Sequence, residues 1–245
     1  RMIRKSTIQL LRIHFSFFLM PVFFFALSVR ESVHWPPTVL LFFILHGLVY
    51  PASNGYNSYM DRDTDAIGGL EKPMMPTRQL FTVTLIMDLM AVILGSLIHP
   101  LASAGILLYI LASRAYSYRG IRLKKYPVAG YITVVLFQGV LVFVLTYYTA
   151  AAFNPTAFPV LPAIVAGLLI GGFYPLTQIY QHNSDKADGV TTISAFLGYR
   201  GTFIFSALMY TLAIGVLGIY YSSIGRLNHF VLLTTLLLPV LVYFI

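Results

Sequence analysis

Asn57-Ser58-Tyr59-Met60-Asp61-Arg62-Asp63-Thr64-Asp65 is the stretch whose reading decides the fold. It holds three of the eight carboxylates in a chain of 245 residues, and it follows a long, nearly uncharged run that begins at Thr38. Helical spacing puts Asn57, Asp61 and Asp65 at i, i+4 and i+8, stacked along one face, with Asp63 roughly opposite. A carboxylate at the centre of a membrane helix costs about 2.5–3.5 kcal/mol, so such residues face a polar cavity or a cation. The ladder therefore reads as a cation site at the edge of a bilayer.

The rest of the composition agrees. Hydrophobic residues make up 58% of the chain and charged residues 10%, against about 25% charged in an ordinary soluble domain. Several apolar runs reach the roughly 20 residues that cross a hydrocarbon core. They are continuous rather than alternating, which excludes a β-barrel. The fold class is an all-α polytopic membrane protein. The net charge of +8 would suggest nucleic acid in a soluble protein, but here the basic residues gather in loops, so no nucleic-acid partner is expected. The absence of cysteine removes disulfides, thiol nucleophiles and thiolate metal sites.

Eight spans are visible: about Gln9–Val29, Thr38–Met60, Gln79–Ile98, Leu101–Ala115, Val128–Ala150, Val160–Tyr180, Arg200–Tyr221 and His229–Ile245. With the N-terminus on side one, thirteen Lys and Arg fall on that side and only Arg30 and Arg226 on the other, which makes side one cytoplasmic. Both acidic stretches and the Tyr-rich basic loop around Arg119, Arg122 and Lys124 share that end. Arg12 lies inside the first span and needs a partner there.

The second acidic stretch runs Gln181-His182-Asn183-Ser184-Asp185-Lys186-Ala187-Asp188-Gly189, and it starts 124 residues after Asn57. A helix would place Gln181, Asp185 and Asp188 on one face. Two acidic helix ends at one membrane surface offer the hard oxygen ligands that Mg²⁺ prefers, part of the shell coming from substrate phosphates. Arg and Lys in neighbouring loops would clamp a diphosphate. Apolar spans beneath would take a hydrocarbon tail. The combination points to a polyprenyl diphosphate, with membrane lipid around it.

In these residues the chain resembles the UbiA superfamily of intramembrane prenyltransferases. The family's first pattern, Asn-Asp-x-x-Asp-x-x-x-Asp, is met by Asn57, Asp61 and Asp65, and Lys72-Pro73 stands where Arg-Pro is common. The second, Asp-x-x-x-Asp-x-x-x-Gly-x-x-Thr, is met by Gln181, Asp185, Gly189 and Thr192. The resemblance implies a UbiA-like helical bundle of nine helices, eight visible here, with the Asp-rich motifs at the cytoplasmic ends of helices 2 and 6. It implies one integral-membrane domain over residues 1–245 that lacks its last helix.

The resemblance also implies Mg²⁺ held by Asn57, Asp61, Asp65, Gln181 and Asp185, with Asp61, Asp65 and Asp185 catalytic. Arg12, Lys72, Arg78, Arg119, Arg122 and Lys124 would bind the diphosphate. The reaction would be transfer of a polyprenyl group from an allylic prenyl diphosphate to a lipophilic acceptor, aromatic or a quinone precursor. The enzyme would be multi-pass in the membrane, the cell inner membrane if bacterial, with its site at the cytoplasmic face. Ser58 and Gln181 replace family aspartates, so the site carries less negative charge. That leaves open an intramembrane terpene cyclase on the same scaffold. A cation-coupled transporter is the reading from another class, though its sites would lie near the midplane. Oligomeric state is not encoded in any of these features.

Overall fold

The structure, a computed structural model, describes residues 3–62, 66–154, 157–232, 234 and 235. The helices are α1 (Lys5–Ser28), α2 (Trp35–Asp61), α3 (Arg78–Ile98), α4 (Pro100–Ser117), α5 (Pro127–Ala150), α6 (Val160–Gln181), the short α7 (His182–Ala187) and α8 (Ile193–Ser223). Among the described residues six of these, all except α4 and α7, are long and apolar enough to cross a membrane. The expected eighth span lies largely outside the described residues.

Helix ends follow local chemistry. His99 takes an extended conformation, and its ring accepts from the Leu101 amide, so α3 stops and α4 starts at Pro100 and returns along it. Pro is tolerated there because the first-turn amides have no helical partner. In lipid, helices associate through close packing rather than through the hydrophobic effect. Gly139 of α5 shows this: a Cβ added there would lie 2.9 Å from the Gly167 Cα of α6. Large apolar side chains such as Leu89, Ile93 and Leu97 on α3 and Phe203 and Leu208 on α8 are exposed and face the hydrocarbon. Leu41, Leu45, Ile106, Val142, Phe143 and Ala166 form the buried core that closes the bundle.

The structure departs from unbroken spans at several points. α1 is interrupted at Arg12, whose left-handed backbone (φ 45, ψ 49) separates Lys5–Leu10 from a 3-10 turn at Ile13–Leu19. Arg12 is therefore aimed by a break, not carried on a regular turn. Six-residue and seven-residue π segments interrupt α2 at Ile44–Val49 and α5 at Val135–Leu141. Such insertions re-aim side chains and gather near functional sites. α6 loses its α-helical pattern after Leu176, one residue past the internal Pro175, and passes through a 3-10 turn into α7. α8 bends at Gly198 (φ 69).

Asp88, a carboxylate in the middle of a span, has a partner. Arg114 of α4 donates to its Oδ2 through Nε at 2.9 Å and through Nη2, and the guanidinium lies 3.8 Å from the Tyr56 ring centroid. Burying either charge alone would cost several kcal/mol. The pair ties α3 to α4 and supports α2 from below.

Candidate active site

The polar half of α2 packs on α4 in a fixed register. Ser53 Oγ and Ser113 Oγ are 2.5 Å apart, and Asn57 Nδ2 donates to Ser117 Oγ at 3.1 Å. Each helix presents the two residues four positions apart, so one face of each contributes both contacts. This pairing is what holds Asn57 under the end of α2.

α2 ends at Asp61, because Arg62 adopts a left-handed conformation (φ 57). The helical part of the expected ladder thus comprises Asn57 and Asp61; Asp63 and Asp65 lie outside the described residues. Asp61 is 8% exposed and buried beneath the basic loop. Lys124 Nζ donates to its Oδ2 at 2.5 Å and Arg122 Nη2 to its Oδ1 at 3.4 Å. Arg122 also bonds the Asp188 carboxylate, and Arg119 donates to the Met60 carbonyl at 2.7 Å and lies 3.7 Å from Asp188. Burial penalises the Arg122 charge, but its hydrogen bonds and the two carboxylates outweigh that and raise its pKa above the ordinary arginine value. The loop is pinned further by the Thr191 amide donating to the Lys125 carbonyl at 3.4 Å.

The second acidic stretch does not form one continuous helical face. Gln181 ends the 3-10 turn, Asp185 sits in α7, and Asp188 lies past the helix end in the turn to Gly189 (φ 67). That break lets Asp188 turn toward Arg122. The Tyr116 hydroxyl, bonded to that of Tyr174, lies within electrostatic range of both Asp61 and Asp185. The ends of α2 and α7 and the loop after α4 thus meet at one end of the bundle.

Below this cluster are two adjoining chambers. The first, about 120 Å³, is lined by Arg12, Asn54, Asn57, Ser117 and Tyr116 toward the acidic end and by Val134, Phe137 and Gln138 deeper down. The second, about 110 Å³, lies between α1 and α6 and is lined by Phe15, Phe18, Leu19, Ile170 and Phe173. They share Ser53, Asn54, Tyr109, Gln138 and Tyr174. Arg12, 6% exposed, donates to the Gly68 carbonyl at 3.3 Å and the Asn54 carbonyl at 3.4 Å, which fixes it at the wall.

Of the expected diphosphate-binding residues, Arg12, Arg119, Arg122 and Lys124 converge on this end. Lys72 and Arg78 are exposed and line neither chamber. Ser117, Tyr109, Tyr174 and Gln138 were not singled out by sequence. Gln138, an amide in mid-span, is the one that carried a signal. His14, His46 and His182 are each hydrogen-bonded, and none lines a chamber. Among the described residues no three His, Asp or Glu side chains cluster as a metal site by themselves. A cation here would need the amides of Asn57 and Gln181 as well as the carboxylates.

A helical membrane bundle with two acidic ends, a basic loop and a cavity beneath defines the class. Residues 18–245 match the UbiA prenyltransferase family, and the chain belongs to that family. It is 27% identical over 187 residues to a digeranylgeranylglyceryl phosphate synthase of Methanothrix thermoacetophila, covering 76% of this chain and 67% of that protein. It is 29% identical over 178 residues to the bacteriochlorophyll synthase 33 kDa chain of Cereibacter sphaeroides, covering 67% of this chain but only 57% of that one. A UbiA homolog from Archaeoglobus fulgidus bound to Cd²⁺ has the same fold, with a TM-score of 0.75 at 18% identity over 98% of this chain and 86% of that one. The same homolog bound to GPP and Mg²⁺ superposes with a TM-score of 0.72 at 18% identity, over 96% and 88% of the two chains.

Proposed function

We propose that this protein is a Mg²⁺-dependent prenyltransferase that moves the prenyl group of an allylic prenyl diphosphate to a lipophilic acceptor, aromatic or a quinone precursor, within the membrane. The observation that carries this reading is the single cluster in which Arg122 joins Asp61 to Asp188 and Lys124 caps Asp61, above a chamber walled by Arg12 and Asn57. Relatives with GPP, DMAPP and Mg²⁺ bound support the ligands. The bias of thirteen basic residues against two supports a cytoplasmic site.

The residues fit the metal. Asn57, Asp61, Gln181 and Asp185 offer only oxygen ligands once the amides turn their carbonyls inward, which suits a hard dication that keeps few protein ligands and takes phosphate for the rest. Asp61 already binds cations, since Lys124 and Arg122 both rest on it. Asp65 is assigned a supporting role. Bound Mg²⁺ would neutralise charge developing on the departing diphosphate.

The chain's own groups do the remainder. Arg122, Lys124 and Arg119 exchange their carboxylate partners for diphosphate oxygens, and Arg12 holds the group from the chamber side. Donors fixed before reaction stabilise the leaving group without reorganising. The allylic C–O bond breaks, its electron pair leaving with diphosphate. The carbocation then sits among Tyr109, Tyr116, Tyr174 and Phe137, whose ring faces stabilise positive charge. The acceptor forms the new bond and gives up a proton.

The test is diphosphate release by the purified chain from a panel of prenyl diphosphates, with and without Mg²⁺ and candidate acceptors. Mg²⁺-dependent release that rises with acceptor is expected. Release from no substrate under any condition would refute the enzyme, and acceptor-independent release with a cyclic product would favour the cyclase.

A further inference from the structure

We propose that Arg4, Lys5, Lys72 and Arg78 form a surface site for the headgroup of an anionic phospholipid, whose acyl chain lies along the exposed face of α3. The site is separate from the proposed active site and does not rest on the transferase reading. Lys72 and Arg78, expected at the diphosphate, are exposed and line neither chamber. Arg4 and Lys5 are exposed as well, and none of the four is in an ion pair with another described residue.

Three segments bring these cations together. Gln9 of α1 accepts from the Met74 amide at 2.8 Å and donates to the Lys72 carbonyl at 3.3 Å, so its side chain pairs with the loop as a neighbouring strand would. Gln79, in the first turn of α3, accepts from the Arg4 amide at 2.7 Å and from the Thr7 hydroxyl at 3.1 Å. Leu10 and Leu11 of α1 pack with Ile67 and Leu80 in a small buried cluster. The start of α1, the loop before α3 and the first turn of α3 therefore present one outer surface.

That surface has the composition of a membrane interface. Ile3, Ile8, Met74 and Met75 are exposed among the four cations, a mixture that suits the boundary between headgroups and acyl chains rather than open water. Residues 66–79 contain one carboxylate, Glu71, and residues 3–29 contain none, so the patch complements an anion. α3 sets the depth. Arg78, Leu85 and Leu89 stand at i, i+7 and i+11 on one helical face, and both leucines are exposed. Arg78 thus sits above a stripe that faces hydrocarbon, as a headgroup sits above its own chain. Basic clusters flanking a membrane helix attract anionic lipid, each residue contributing about fivefold.

The chain has no cysteine, so Met75→Cys carries a single NBD fluorophore on the full chain in phosphatidylcholine nanodiscs. The quenchers are phosphatidylglycerol and phosphatidylcholine, each with a nitroxide near the top of one acyl chain and compared at equal mole fraction. Phosphatidylglycerol should quench as though bound at least about fivefold more tightly than phosphatidylcholine. Lys72→Gln with Arg78→Gln should remove most of that preference, while Lys72→Arg with Arg78→Lys keeps it. Raising NaCl from about 0.1 M to about 1 M shortens the screening length from about 10 Å to about 3 Å and should weaken the preference without any substitution. Equal quenching by the two lipids in the labelled parent, or a preference unchanged in the double glutamine variant, overturns the site. So does loss of the preference on adding inorganic pyrophosphate at constant ionic strength, which would return Lys72 and Arg78 to the diphosphate clamp.

Discussion

Lys124→Met tests the exchange of partners on which the proposed mechanism depends. The ammonium lies 2.5 Å from Asp61 Oδ2, with side-chain exposures of 10% and 2%. In the free protein Lys124 therefore competes with any divalent cation for Asp61, and in the complex it serves the diphosphate. Removing it should move the two affinities in opposite directions. One charge-assisted hydrogen bond to phosphate contributes about 1.5–3 kcal/mol, so pyrophosphate binding should weaken by about tenfold to 150-fold. Mn²⁺ alone loses a competitor, and its affinity should rise by about tenfold, since Arg122 still holds Oδ1 at 3.4 Å. Titration of the purified chain with Mn²⁺ followed by electron paramagnetic resonance reads the metal affinity, and calorimetry reads that for pyrophosphate. Lys124→Arg should restore pyrophosphate binding. If both affinities fall together, or neither changes, the loop does not trade carboxylate for phosphate and the mechanism is wrong.

Asp61→Asn and Asp185→Asn should each reduce diphosphate release by at least about 10²-fold while circular dichroism and elution volume stay at wild-type values. Arg114→Met should lower stability in detergent by about 3–5 kcal/mol, because Asp88 is left charged and alone, and adding Asp88→Leu should recover most of that loss; denaturant midpoints compare the single and double variants. Gly139→Val, which drives a side chain into the Gly167 backbone, should cost about 1–3 kcal/mol in the same assay without changing which prenyl diphosphate is used. Arg12→Lys should raise the KM for prenyl diphosphate, since an ammonium cannot match the fork that reaches Gly68, Asn54 and ligand together.

What the sequence determined by itself is the helical membrane fold and the chemistry of the family. Long apolar runs can only be helices in lipid, because every backbone amide must be satisfied within its own segment. Carboxylates at the ends of two such runs are too costly to be incidental, so Asn57, Asp61 and Asp185 stood out as candidates in the chain alone. Periodicity assumes an unbroken helix, and there it failed. The left-handed residue at Arg12, the break after Pro175 and the π segments of α2 and α5 each rotate the residues beyond them out of a regular helical register. Asp188, expected on one face with Gln181 and Asp185, became the second anchor of Arg122 for that reason. Asp88 found Arg114 only across a helix–helix contact. The chambers are the same kind of result. Tyr50, Tyr109, Gln138 and Tyr174 come from α2, α4, α5 and α6, and only packing decides that these four side chains share one wall while so many other tyrosines of the chain do not.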